Sequence, residues 1–126
     1  MAVTITNTKI AALNTDQALT FNAATSAVND ATEVFTYTPT NKDSKILIGI
    51  KNGTGILSYS IAVGDGVFAA AAAKTGTVAA DTTDVIQIET GKYQKTAGTI
   101  LITLTPAAGT ALLTNHAASM FVAELI

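Results

Sequence analysis

The 126-residue sequence contains no cysteine, no tryptophan and a single histidine, and all seven of its basic residues are lysine. Without cysteine there is no disulfide framework, thiolate zinc site, thiol nucleophile or thiol redox switch. Seven Lys set against nine Asp and Glu leave a net charge of −2. With no arginine as well, nucleic acid is not an expected partner, because phosphate neutralisation supplies most of that affinity. Charge of either sign is scarce, at 13% of residues, and forms no block. The longest strictly apolar run, Val67 to Ala73, has seven residues, where a membrane helix needs ~20, so no membrane partner is expected. The opening MAVTITNTKIAAL does not join a basic start to an apolar stretch, and no secretory leader is expected.

What remains is dominated by small residues. Ala (23 copies) and Thr (22 copies) occupy 45 of 126 positions, so the 48% of residues counted as hydrophobic overstates the bulky apolar content. A chain of this length fits one domain that buries roughly two-thirds of its unfolded surface. The expectation is an ordinary core inside a small, weakly charged surface.

The dominant period is two, the signature of strands. In Glu33 to Thr38, Phe35 and Tyr37 share one face. In Lys45 to Lys51 (KILIGIK), Ile46, Ile48 and Ile50 do so. Leu57, Tyr59, Ile61 and Val63 alternate with small residues; Ile86 with Ile88, and Ile100, Ile102 and Leu104, follow suit. Phe121, Ala123 and Leu125 share a face of the last segment, and weaker strand candidates lie at Val3 to Thr6, Leu19 to Phe21 and Gly76 to Ala79. Turn chemistry separates these runs at Asn41 to Ser44, Asn52 to Gly55, Gly64 to Gly66, Thr90 to Lys92 and Ala97-Gly98. This spacing predicts an all-β fold, a single antiparallel β-sandwich or jelly-roll-like domain over 30–126. Its expected core contains Ile46, Ile48, Ile61, Ile88, Ile100, Ile102 and Phe121. Residues 1–29 read as a partly extended N-terminal arm or edge segment. Helical signals are confined to Ile10 to Leu13, the short FAAAAAK stretch from Phe68 to Lys74, and a turn within Ala107 to Ser119.

Chemistry-bearing candidates each have an ordinary explanation. His116 as a general base would need an orienting carboxylate and a nucleophile elbow, and its segment supplies neither, so a backbone-bonded loop residue is expected. Gly64-Asp65-Gly66 and Asp81 to Asp84 lack the dense ligand spacing of a calcium loop; the first is expected to be a turn using glycine at positive φ. Gly53-Thr54-Gly55 leads into a strand rather than a helix, which excludes a dinucleotide fingerprint and predicts a hairpin turn. Tyr37 and Tyr59 follow the buried phase, leaving Tyr93 as the aromatic contact candidate. No catalytic, cofactor-binding or metal-binding residues are expected, and the chain reads as an interaction protein rather than an enzyme.

The series VFTYTPTNKDSKILIGIKN (Val34 to Asn52), SYSIAVGDG (Ser58 to Gly66), IQIETGKYQKTAGTILITLTP (Ile86 to Pro106) and the closing NHAASMFVAELI resembles a family of small all-β capsid decoration, or head-stabilising, proteins of tailed bacteriophages. The order and spacing of these pieces carry the resemblance, which covers Val34 to Ile126. It implies a structural virion protein, made in the host cytoplasm and bound to the outer surface of an icosahedral head, whose partner is the major capsid protein. It also implies self-contacts as a homo-oligomer, a trimer among the options, and an N-terminal arm reaching across the lattice. It carries no catalytic residue to this chain. Candidate shell or neighbour contacts are Thr4, Thr6 and Lys9 in the arm, and Asp65, Lys92, Tyr93 and Lys95 in turns. The alternative is a baseplate or fibre adhesion module binding a host-surface glycan.

Overall fold

The computed structural model describes residues 2–10, 14–40 and 45–125. Among these residues ten strands run in chain order: β1 (Ala2–Thr4), β2 (Thr8–Lys9), β3 (Asn22–Ala23), β4 (Glu33–Tyr37), β5 (Ile46–Lys51), β6 (Leu57–Ile61), β7 (Lys74–Val78), β8 (Thr83–Ile88), β9 (Ile100–Thr105) and β10 (Ser119–Glu124). One four-residue helix, α1 (Thr90–Tyr93), lies between β8 and β9. Two sheets pack face to face as an all-β sandwich, with strand orders β1-β4-β9-β6-β7 and β2-β10-β5-β8. The body of each sheet is antiparallel, while β1 joins β4 and β2 joins β10 in parallel. β3 also pairs with β10, so β2 and β3 share the margin of β10 that β5 leaves free.

Period-two alternation decides which side chains meet between the sheets. Phe35 is registered against Ile102, Tyr37 against Ile100, and Ile61 against Ile102, so one row of large side chains faces inward from the first sheet. Ile46, Ile48 and Ile50 answer from the second sheet, the first two in register with Ile88 and Ile86 on β8. All are buried in one continuous core cluster. Burial of such side chains supplies roughly 1.5–3 kcal/mol each before the opposing entropy is counted.

Phe121 departs from expectation. It is buried, but it lies outside that cluster, and the inward phase of β10 belongs to Met120, Val122 and Glu124. The physical reason is Gly49. A Cβ there would come within 1.9 Å of the Phe121 ring, so the missing side chain leaves the space the ring fills on the outer face of the second sheet. Phe21 packs edge-on against Phe121 at 5.3 Å between centroids and closes that outer pocket. Apolar alternation alone does not tell a core face from an outer face covered by a crossing segment.

Other local expectations also change. Gly53-Thr54-Gly55 is no hairpin, because β5 and β6 belong to different sheets and the segment turns the corner between them. Gly64 and Gly66 are not at positive φ. Gly64 is required for close approach, since a Cβ there would meet the carbonyl oxygens of Gln94 and Lys92 at 2.7 and 3.0 Å. The alanine-rich FAAAAAK stretch is loop until β7 begins at Lys74, too short to nucleate a helix unaided. Residues 107–118 form turns without helix, whereas Thr90 to Tyr93, expected as a turn, makes α1. Tyr59 is only half-buried against the core. The helical turn expected at Ile10 to Leu13 and the turn at Asn41 to Ser44 lie outside the described residues, apart from Ile10.

Candidate functional site

At one end of the sandwich the β6–β7 connection, residues 62–73, folds against the segment that carries α1. Two backbone bonds fix it: the Gly64 and Ala70 amides both donate to the Lys92 carbonyl oxygen, at 2.8 and 3.1 Å. Asp65 adds a side-chain clamp, accepting the Thr96 amide at 2.5 Å and the Thr96 hydroxyl at 2.8 Å. Those bonds from Thr96, helped by the nearby Lys95 charge, hold the Asp65 carboxyl below the usual carboxylate range. A tight turn follows, with the Lys95 amide bonded to the Thr99 carbonyl oxygen at 2.8 Å.

These anchors hold the base of the loop and leave its tip in water. Val67 is 96% exposed and Phe68 82% exposed, the most exposed large apolar side chains among the described residues. Single surface apolar residues are commonplace; here two adjacent ones stand together at the braced tip. Two concavities adjoin the tip and a third lies along the rim. One of about 380 Å³ is lined by Phe68, Ala69, Glu89, Gly91 and Lys92. Another of about 250 Å³ runs from Asp65 and Val67 to Lys95 and Thr96. A third, about 300 Å³, opens between the sheet margins at Lys74, Gln87 and Tyr93. Lys92 pairs with Glu89 at 3.5 Å, both largely exposed, an ion pair worth about 0–1 kcal/mol at most.

The structure thus brings Asp65, Lys92, Tyr93 and Lys95 together on one rim. Asp65 and Tyr93 are committed to the fold there, the first through Thr96 and the second by packing on the core. Thr4, Thr6 and Lys9 lie at the opposite margin, on or beside β1 and β2, the strands farthest from β7 and β8. Thr6 is held through its backbone by Asn22 at 3.0 and 3.3 Å. Val67 and Phe68 were not among the sequence candidates. Their signal was the seven-residue apolar run itself, which fits no period-two strand and has no length to span a membrane.

His116 occupies a different place, fully buried beneath the corner between β5 and β6. The Ala107 amide donates to Nε2 at 3.2 Å, so Nε2 is the acceptor and Nδ1 carries the proton that it donates to Asn52 Oδ1 at 2.9 Å. The Thr110 hydroxyl, 2.9 Å from Nε2, donates to the Ala107 carbonyl oxygen at 2.6 Å. Both ring nitrogens are therefore engaged in bracing the corner. Burial holds the imidazole pKa below its ordinary 6.5. The unfolded chain takes up a proton near that value and the folded chain resists it. This stabilisation is complete above about pH 6.5 and declines as pH falls toward the folded value, by at most about 1.4 kcal/mol per pH unit. Urea midpoints at pH 7.5, 6.5 and 5.5 should show this decline, and a His116→Gln variant should flatten it.

Among the described residues no group of three or more His, Asp or Glu is placed to hold a metal ion, and no helix is long and apolar enough to cross a membrane. Comparison of the chain with protein-family models, with curated proteins and with solved structures finds no match.

Proposed function

We propose that the protein is a structural virion component that binds the outer surface of an icosahedral phage head and stabilises it. The braced tip at Val67 and Phe68 is the observation that carries a partner-binding role: exposed apolar area held by fixed backbone bonds loses little further entropy on docking. The order of segments from Val34 to Ile126, which resembles head decoration proteins, supports the major capsid protein as the partner. In this reading the tip enters an apolar depression on the assembled shell, and the rim around α1 surrounds the contact. Protein that binds the assembled shell but not its dissociated subunits stabilises the shell by mass action. Modest affinity per site suffices when contacts repeat across a lattice.

The test is co-sedimentation with undecorated heads. The intact protein is expected to bind at high copy number and to raise the temperature at which heads rupture. Phe68→Ser should reduce binding at least tenfold with an unchanged far-ultraviolet circular dichroism spectrum. Failure of the intact protein to bind any head would reject the proposal, and full binding by Phe68→Ser would reject the tip as its contact.

A further inference from the structure

Asn52-Gly53 is the one Asn-Gly pair in the sequence. In an open chain such a pair degrades unaided. The amide nitrogen after the Asn attacks the side-chain carboxamide, and glycine, which lacks a Cβ, puts no steric barrier in its way. The fold requires both residues nonetheless. Asn52 is buried, and its side chain bonds to Gly55, Val78, Ala79 and His116. Position 53 has room for glycine only, because a Cβ there would stand 2.7 Å from the His116 carbonyl oxygen.

The contacts that impose this pair also keep it from reacting. The Gly53 amide, the nucleophile, donates to the His116 carbonyl oxygen at 2.6 Å. The Asn52 carboxamide, the electrophile, accepts the His116 Nδ1 proton through Oδ1 at 2.9 Å. His116 thus holds both reactants, one by its backbone and the other by its ring. The flanking backbone is fixed as well: the Asn52 amide donates to the Thr82 carbonyl oxygen at 2.9 Å, and the Gly53 carbonyl oxygen accepts the Asp81 amide at 2.6 Å. Ring closure requires the nitrogen to leave its acceptor and the carboxamide to turn out of its bonds. It also requires base and water, and Asn52 is only 2% exposed. We infer that Asn52 is a deamidation site held closed by the fold, and that its reaction makes opening of the β5–β6 corner irreversible.

In the open corner, base takes the Gly53 amide proton and the nitrogen bonds to Asn52 Cγ. The Cγ–Nδ2 bond breaks, and ammonia leaves with a proton returned by the protonated base. The succinimide so formed adds one water and opens at either carbonyl, to aspartate or isoaspartate. Nothing is oxidised or reduced. Neither product fits the closed corner. A carboxylate at position 52 has no N–H to donate, so the carbonyl oxygens of Gly55, Val78 and Ala79 would face a negative charge. Isoaspartate also lengthens the backbone between two fixed hydrogen bonds. Folded protein is therefore lost one way, at a rate set by the population of the open corner.

The test needs no partner. The full chain is incubated at pH 8, folded or in unfolding urea, and digested with trypsin. The peptide from Asn52 to Lys74 contains no other Asn and no Gln, so exchange of NH2 for OH within it reports Asn52 alone. The unfolded chain is expected to lose Asn52 at least a hundredfold faster than the folded one. In urea, where folding plays no part, Gly53→Ala should slow the loss at least fivefold. Asn52→Asp supplies the product directly; it is expected to melt at least about 10 °C below the intact chain, or not to fold. Equal loss from folded and unfolded chains, no effect of Gly53→Ala in urea, or an Asn52→Asp protein that melts with the intact chain would overturn the inference.

Discussion

Replacing Asn52 with Ala is expected to cost about 3–5 kcal/mol, among the larger effects available to a single substitution. Asn52 is buried, and its Nδ2 group reaches three backbone carbonyl oxygens, of Gly55 at 2.7 Å, Val78 at 3.0 Å and Ala79 at 3.2 Å. Its Oδ1 accepts the His116 Nδ1 proton at 2.9 Å. One amide thereby joins the β5–β6 corner, the end of β7 and the long loop after β9. Alanine removes the side-chain donors and the acceptor together: the buried imidazole N–H loses its acceptor, and the Gly55 and Val78 carbonyls lose a donor, while that of Ala79 keeps the Thr82 hydroxyl at 2.8 Å. Each such group costs roughly 1–3 kcal/mol, reduced where water can enter. His116→Ala should cost a similar amount, because it removes the imidazole that donates to Asn52 Oδ1 and accepts the Ala107 amide, leaving both short of a partner. The double variant should fall short of the sum by about 1–2 kcal/mol, the mark of one shared network. Urea unfolding of the four proteins at pH 7.5 measures the cycle, and simple additivity would show the two residues acting separately.

That network also shows where sequence patterns stop. Ile46, Ile48, Ile100 and Ile102 were legible as core because a strand buried on one face repeats every second residue; β4 and β9 of the first sheet follow the rule, and β6 keeps it at Leu57 and Ile61 with Tyr59 half-buried between them. The rule fails at β10, both faces of which are buried: one by the core, the other by Phe21 crossing over Phe121 and Gly49. A local period cannot report a segment 100 residues away in the chain. His116 was expected to bond to backbone; its bond to Asn52 spans 64 positions and no spacing announces it. The rim is a similar case. Asp65, Lys92, Tyr93 and Lys95 could be named individually as turn residues, but their meeting depends on the Gly64 amide reaching the Lys92 carbonyl oxygen. Val67 and Phe68 were visible as an apolar run, and only the folded loop shows that none of the described residues covers them.

Deleting residues 2–9 is expected to bring the protein to the edge of unfolding rather than to trim an appendage. From sequence alone, an arm here could be removed with the sandwich intact. In the structure β1 and β2 each extend one sheet, and Ile5 between them sits in the core. Asn7 donates to Glu124 at 2.9 Å. Glu124 is a buried carboxylate that also accepts the Tyr37 hydroxyl, the Thr40 amide at 2.9 Å and the Thr40 hydroxyl. Burial alone would raise its pKa, but the bonds from Thr40, Tyr37 and Asn7 prevail and hold the carboxyl below its ordinary range. Burial, together with the bond to Glu124, pushes the Tyr37 phenol far upward in turn. Deletion therefore removes one donor from a buried charge, about 1.5–3 kcal/mol, and vacates the Ile5 site, about 2–5 kcal/mol. Against a typical total of 5–15 kcal/mol, that loss approaches the whole. Asn7→Ala isolates the first part. Because Glu124 stabilises the fold above its unfolded pKa and loses that effect as pH falls, weakening its depression should move acid unfolding to higher pH. Circular dichroism melts of the deletion, of Asn7→Ala and of the intact chain measure both effects. A deletion variant that melts within a few degrees of the intact protein would show that the two parallel strands contribute little. If it melts far lower, its failure to bind a partner reports lost folding rather than a lost contact, and point substitutions such as Phe68→Ser become the valid probes of binding.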